Sequence, residues 1–388
     1  MMKRIGLDEV RALLSDLVKI PSPNPPGYTD EVAGFIAGYL EDAGLEVEVV
    51  FRKKRKESVV ATLEGKEARL LIFNSHIDVV PIGDPDRWSF DPWGGEVIDG
   101  RLYGRGSSDC KAGVAAMMLA AKAIAESGVK PRHSVALHLV CDEETGGPDG
   151  TSYLVERGYA EGGVAVISGE PCHHMGEGIH IDVAAKGLVW LEITTHGKAA
   201  HAKVPHLGVN AIEHMAHVVL TLQGMRLPDI SHRHLGSPTI NVGVIEGGVK
   251  VNIVPDRCVI KVDRRILPQE DPEEVVADIE DLLETLRGRV EGLEVDCRVL
   301  KVWPPSETDE GEAVVDFTRE ILKRLTGRPP LISGKLGATD MWLYNQRGIP
   351  TIHMGPGIAV NSHITDEYAE LEPIGIAVEL YRELMVNF

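Results

Sequence analysis

Imidazoles and carboxylates recur in this 388-residue chain just beyond short apolar runs. His76 and Asp78 follow residues 69–73; Asp142, Glu143 and Glu144 follow 134–140; Glu170 follows 163–167; and His363 lies beyond 350–354 and Gly355-Pro356-Gly357. Several carboxylates in one poorly solvated crevice repel one another unless a cation neutralises them. Two imidazoles with several carboxylates, and no Cys pair at finger spacing, suit Zn²⁺ or a similar first-row ion in a hydrolytic site. If one carboxylate bridged two ions, they would be held about 3.5–4 Å apart. Asp109 is the natural bridge: it closes the stretch Gly104-Arg105-Gly106-Ser107-Ser108 where a helix over 112–127 begins. The positive end of that helix would favour its charge, although a plain N-cap is the competing reading.

Such residues must be carried to one place by regular elements. The runs 69–73, 134–140 and 163–167 are rich in Val, Leu and Ile and bounded by polar or glycine-rich segments, as buried strands of a mostly parallel sheet would be. Helices are expected over 29–43, 112–127, 312–325 and 372–385, with further strands at 45–51 and 350–354. In an open α/β sheet ligands bind beyond the carboxyl ends of the strands, so these ends should face one crevice. Between 184 and 303 the pattern changes to strand 187–195, helix 209–225, strands 239–245 and 257–266, helix 272–286 and strand 293–302. That βαββαβ order is ferredoxin-like. The expected fold is therefore α/β: a catalytic domain over 1–183 and 304–388, interrupted by a smaller domain at 184–303.

Composition bounds the partners. Forty basic against fifty-nine acidic residues leave a net charge of −19, which repels phosphate backbones and anionic membranes. Nucleic acid and membrane are not expected partners. The five cysteines, 110, 141, 172, 258 and 297, are odd in number and scattered, as suits reduced thiols in the cytoplasm. Three of them lie within two residues of Asp109, Glu143 and Glu170 and read as small buried apolar residues. The opening segment 1–12 carries charges among apolar residues at helical intervals, without the apolar core of a signal peptide. The basic run 52–56 reads as a solvated strand end, and His173-His174 as a loop pair rather than another metal site.

Taken together, the motifs carry a specific resemblance. They are Ser75-His76-Ile77-Asp78, the run from Asp99-Gly100-Arg101 through Leu102-Tyr103-Gly104-Arg105-Gly106 to Asp109, Asp142-Glu143-Glu144-Thr145-Gly146, Gly169-Glu170-Pro171, and His363 with Asp366-Glu367. In this order the chain resembles, over nearly its whole length, the dinuclear zinc hydrolases that include acetylornithine deacetylase, succinyl-diaminopimelate desuccinylase, aminoacylase and carboxypeptidase G. The resemblance implies one ion held by His76, Asp109 and Glu170 and a second held by Asp109, Glu144 and His363. The metals would be Zn²⁺, with Co²⁺ or Mn²⁺ as alternatives. Asp78 would orient His76, and Glu143 would be the general base. The peptide bond from Asp109 to Cys110 is expected to be cis.

In the smaller domain, Gly197-Lys198-Ala199-Ala200-His201-Ala202 is similar to the family segment whose His reaches the partner subunit's site and steadies an oxyanion, which requires a homodimer. Asn252 and Arg265 match substrate-binding positions, Arg265 pairing with a substrate carboxylate. Thr339 and Gly355 match loops lining the substrate cleft. Without the resemblance, His201 is a surface residue and Arg265 a strand-end ion pair. Glu rather than Asp at 170 leans toward an N-acyl amino acid substrate. A dipeptidase or carboxypeptidase with the same site, a metal-binding dimer without catalysis, and a metallophosphoesterase stay open as alternatives.

Overall fold

The computed structural model describes residues 5–388; the first four residues of the charged opening segment lie outside the described residues. The chain divides into two compact units. The first takes the described residues up to Val183 with Glu307–Gly334 and Asp340–Phe388, and the second takes Ala184–Ser306 with Lys335–Thr339. The first unit is a mixed α/β layer structure. Six neighbouring strands of its ten-stranded sheet run in the order Glu46–Lys53, Lys56–Leu63, His133–Val140, Glu67–His76, Gly163–His174, Thr351–Ile358. The last four strands are mutually parallel, and the first two add an antiparallel edge. His133–Val140 is buried at every position, as a strand covered on both faces must be.

The helix Lys111–Ser127 packs on this sheet and against Leu371–Asn387 and Leu7–Val18. Its composition follows from that crowding. A Cβ at Gly113 would come within 2.4 Å of the Gly169 carbonyl, so only glycine lets the first turn approach the strand that carries Glu170. Glu96–Ile98, Arg101–Tyr103 and Tyr368–Glu370 form a separate small sheet without a periodic signature in the sequence.

Two strands run further than their apolar runs predict. Gly163–His174 continues past Ile167, so Glu170 lies within the strand and His173-His174 end it instead of forming a loop. Thr351–Ile358 likewise continues through Gly355, because the glycine-containing stretches of the two strands pair with each other, Gly355 opposite Pro171. The basic run at 52–56 is a solvated strand end over most of its length, with Lys56 the member turned inward. It forms the hairpin between the first two strands, where Lys56 bridges Asp142 and Asp149 at 2.5 and 3.3 Å and Lys53 reaches Asp149 at 2.9 Å.

In the second unit the strand order is Thr239–Gly247, Arg257–Ile266, Gly187–His196, Glu294–Trp303, antiparallel throughout. Helices Ala211–Gln223 and Pro272–Arg287 contribute Met215, Val218, Ile279 and Leu283 to a core shared with Val189, Leu191 and Ile193. Asn210 and Asp271 cap the two helices through side-chain oxygens. Among the described residues no helix is long and apolar enough to cross a membrane.

One buried relay sets a pH dependence of stability. Asn74 Nδ2 donates to the Tyr344 hydroxyl at 3.0 Å, and the same hydroxyl shares a hydrogen bond with His138 Nδ1, also at 3.0 Å. Burial lowers the His138 imidazole from 6.5 to about 4. The unfolded chain therefore binds the extra proton first, and stability present above pH 6.5 drains as pH falls toward 4. Replacing His138 by Gln should remove roughly 3 kcal/mol of that pH-dependent loss. Denaturant melts of both proteins across this interval check it, and identical slopes would show that His138 does not titrate there.

Candidate metal centre

Parallel pairing places the ends of four strands on one edge of the first unit's sheet, and the candidate ligands gather there. Asp109 lies at the middle. Its Oδ1 is 3.1 Å from His76 Nε2, which is itself 3.5 Å from Glu170 Oε1. Its Oδ2 is 3.3 Å from His363 Nε2, which is 3.2 Å from Glu144 Oε2. The two carboxylate oxygens thus face two separate donor sets, each with atoms within 4.8 Å of one another. The N-cap of Lys111–Ser127 is Cys110, so Asp109 is not engaged in capping. The Asp109–Cys110 peptide is cis, as expected.

The donor chemistry fits divalent cations. His76 Nδ1 donates to the Asp78 carbonyl at 2.8 Å, an acceptor-only partner, so in the neutral imidazole the lone pair is on Nε2, the nitrogen 3.1 Å from Asp109 Oδ1. Glu144 Oε1 is buried and accepts no hydrogen bond among the described residues. Both arrangements are repulsive or costly without a positive charge between them. Cys110 is near enough to be a ligand, but its thiol donates to the Gly169 carbonyl at 2.9 Å and burial pushes its pKa up. It remains a protonated packing residue.

Electrostatics sharpen this. Burial opposes charge on Asp109, yet hydrogen bonds with His363 and His76 hold its carboxyl well below the ordinary range. Hydrogen bonds to Asp109 and Glu144 raise His363 to about 10. Both oxygens of Asp109 therefore attract positive charge. Glu143 behaves oppositely: burial, then the charge of Glu170, hold its carboxyl well above the ordinary range. That environment suits a group that takes up a proton. Asp340 is buried too, and burial pushes it up to about 7.

Asp78 does not orient His76 in the expected way. Its main-chain carbonyl makes that hydrogen bond, while its carboxylate is 3.7 Å from the imidazole. The carboxylate instead accepts from the backbone N–H groups of Glu143 and Glu144 at 3.2 and 3.3 Å and from Asn24 Nδ2 at 2.8 Å. Asp78 therefore fixes the turn that carries Glu143 and Glu144. Asn24 also donates to Asp142 at 3.1 Å, and Lys56 pairs with the same oxygen. On the opposite side, Glu367 accepts from the N–H groups of Ser108 and Asp109 at 2.9 and 3.0 Å and pairs with buried Arg105 at 2.5 Å. Asn24, Lys56 and the holding role of Glu367 were not read from the sequence. The basic run that holds Lys56 was the one available hint.

The remaining candidates lie elsewhere. Gly355 is a packing point: a Cβ there would come within 1.9 Å of the Gly169 carbonyl. In the second unit, His201 is exposed and its Nδ1 accepts from Lys203 N at 3.1 Å, so its proton sits on Nε2. Asn252 is exposed, Thr339 is buried, and Arg265 places its fork on Asp263 at 2.9 and 3.0 Å.

Comparison with known proteins follows the same lines. The profile described as Peptidase family M20/M25/M40 matches residues 72–387. The succinyl-diaminopimelate desuccinylase of Rhodospirillum centenum is 29% identical over 387 residues, covering 96% of each chain. The N-formyl-4-amino-5-aminomethyl-2-methylpyrimidine deformylase of Bacillus subtilis is 28% identical over 413 residues, covering 98% of this chain and 94% of the relative. In fold, the chain is similar to an M20 family metallo-carboxypeptidase from Sulfolobus solfataricus, with a TM-score of 0.82 at 21% identity over 97% and 98% of the two chains.

Replacing Asn24 by Ala should loosen Asp78 and weaken divalent-metal affinity by roughly 10–100-fold. Competition with a chelating dye measures it; unchanged affinity would mean that Asp78 is held without Asn24.

Proposed function

The chain belongs to peptidase family M20/M25/M40, and from that premise we propose that it is a two-metal amidohydrolase that releases the acyl group of an N-acyl amino acid. Hydrolysis of amides or peptides follows from the family. The narrower substrate class is supported by Glu at position 170 and by the two relatives whose names describe removal of a succinyl and a formyl group. The observation that carries the reading is the division of the Asp109 oxygens between His76 with Glu170 and His363 with Glu144.

In this reading His76, Asp109 and Glu170 hold one divalent cation and Asp109, Glu144 and His363 the other, Zn²⁺ being best suited to the mixed imidazole and carboxylate donors. When bound, the cations polarise the amide carbonyl and make water acidic enough to serve as nucleophile at neutral pH. Glu143 accepts the proton released as water attacks, then returns it to the departing amine. Its raised proton affinity suits both halves of that transfer. Asp78 and Asn24 keep Glu143 in place through the Glu143 N–H, so the proton path is held from the main chain rather than by side-chain packing.

His201, with its proton on Nε2, supplies a donor for the oxyanion from a partner subunit. Dimerisation is supported by the second unit's edge strand Thr239–Gly247 and by the exposed Leu220, Ile245, Val249 and Val251. Arg265 receives the substrate carboxylate by exchanging Asp263 for it. Five free thiols support a cytoplasmic setting.

Replacing Glu143 by Gln should lower kcat by about 10²–10⁴-fold while metal content stays constant; near-normal turnover would remove Glu143 as the base. Mixing Glu143→Gln with His201→Ala protein, subunit exchange being verified, should recover activity that neither has alone, and no recovery would exclude action across a dimer. The substrate class is tested by amine release from N-acetyl and N-succinyl amino acids and dipeptides with Zn²⁺ supplied. Release confined to acyl amino acids is expected. Cleavage of dipeptides alone would establish a peptidase in its place.

A further inference from the structure

Beyond Glu170, the same strand and the turn after it carry three donors that the centre above does not use. His174, Glu177 and His180 each place one ligand atom within 4.8 Å of the others. The two imidazoles stack, with ring centroids 4.0 Å apart and planes inclined by 14°. His180 Nε2 lies 3.2 Å from Glu177 Oε2.

The surroundings of His180 fix which nitrogen holds its proton. Ser333 Oγ donates its single proton to Asp182 Oδ1, and the Cys172 thiol donates to Asp182 Oδ2 at 3.1 Å. Toward His180 Nδ1, 3.3 Å away, Ser333 can then only accept, so Nδ1 bears the hydrogen and Nε2 presents a lone pair. That Nε2 is buried, makes no hydrogen bond among the described residues, and faces a carboxylate oxygen. Two lone pairs so placed repel unless a cation separates them. A proton is a poor candidate, because burial and the neighbouring His174 hold the His180 imidazole below its ordinary value.

We propose that His174, Glu177 and His180 form a third divalent-cation site, for an ion of the Zn²⁺ class. Two imidazoles and one carboxylate leave a fourth position for water. Asp182, acting through Ser333, holds His180 by its far nitrogen, as partners of metal-bound imidazoles commonly do. Glu177 is exposed and lines, with His173 and Glu370, an open cavity of about 1040 Å³ that admits an ion from solvent. A bound ion would tie the end of the Glu170 strand to the residues that follow its turn. Nothing in this assignment depends on the substrate or on the ions at Asp109.

The test counts Zn²⁺ by equilibrium dialysis at micromolar free metal and elemental analysis, comparing the full chain with its Glu177→Gln and His180→Asn variants. The unchanged chain should hold one equivalent more than either variant, whatever number the Asp109 centre holds. Equal counts would overturn the proposal. Because Glu177 is exposed, its replacement is not expected to disturb folding, and that variant decides the matter if His180→Asn does not fold.

Discussion

Carboxylates crowded around Asp109 create the constraint from which the rest of the first unit follows. Glu143, Glu144 and Glu170 all converge on a region that burial deprives of water; burial and then the charges of Glu170 and Glu144 raise the cost of ionising Glu143, and burial and Asp109 raise that of Glu144. The fold meets this by supplying imidazoles on both sides of one carboxylate, His76 toward Oδ1 and His363 toward Oδ2. Such a cluster is held only if positive charge is present at both oxygens. The same repulsion that makes it costly as a structural element makes it a strong receptor for cations.

Holding the cluster falls to groups outside it. A parallel sheet delivers the candidate ligands from separate strands to one edge, but not with the precision that chemistry needs. That precision comes from main-chain hydrogen bonds accepted by two buried carboxylates. Asp78 takes the N–H groups of Glu143 and Glu144, and Glu367 takes those of Ser108 and Asp109. Each is tied in turn, Asp78 by Asn24 and Glu367 by Arg105. The arrangement pins the segments that carry Asp109, Glu143 and Glu144 through their main chain and leaves those side chains out of it.

The layering and the residues of the cluster were legible because they share one signal: a β-branched or leucine-rich run followed at once by His, Asp or Glu. His76, Glu144 and Glu170 stand out in this way, and the βαββαβ unit is readable from its alternation of periods. Other features were not, for reasons that are tertiary. Gly163–His174 outlasts its apolar run because Pro171 pairs with Gly355, nearly two hundred residues away. Lys56 was hidden in a basic run whose other members face solvent, and only the hairpin turns it onto Asp142. For Asp78, residue type does not reveal whether the carbonyl or the carboxylate serves the imidazole; the geometry assigns the carbonyl to His76 and the carboxylate to the turn. His173-His174 reads in sequence as a loop pair, and nothing there joins His174 to His180; the turn between them brings those two rings together.

The most direct test of the central claim, that Asp109 joins two cations, is anomalous diffraction from crystals of the Zn²⁺-loaded protein collected on both sides of the zinc edge. Expected are two peaks about 3.5–4 Å apart, with one Asp109 oxygen on each, His76 and Glu170 on one ion and His363 and Glu144 on the other. A single peak, or two ions of which only one touches Asp109, would contradict it.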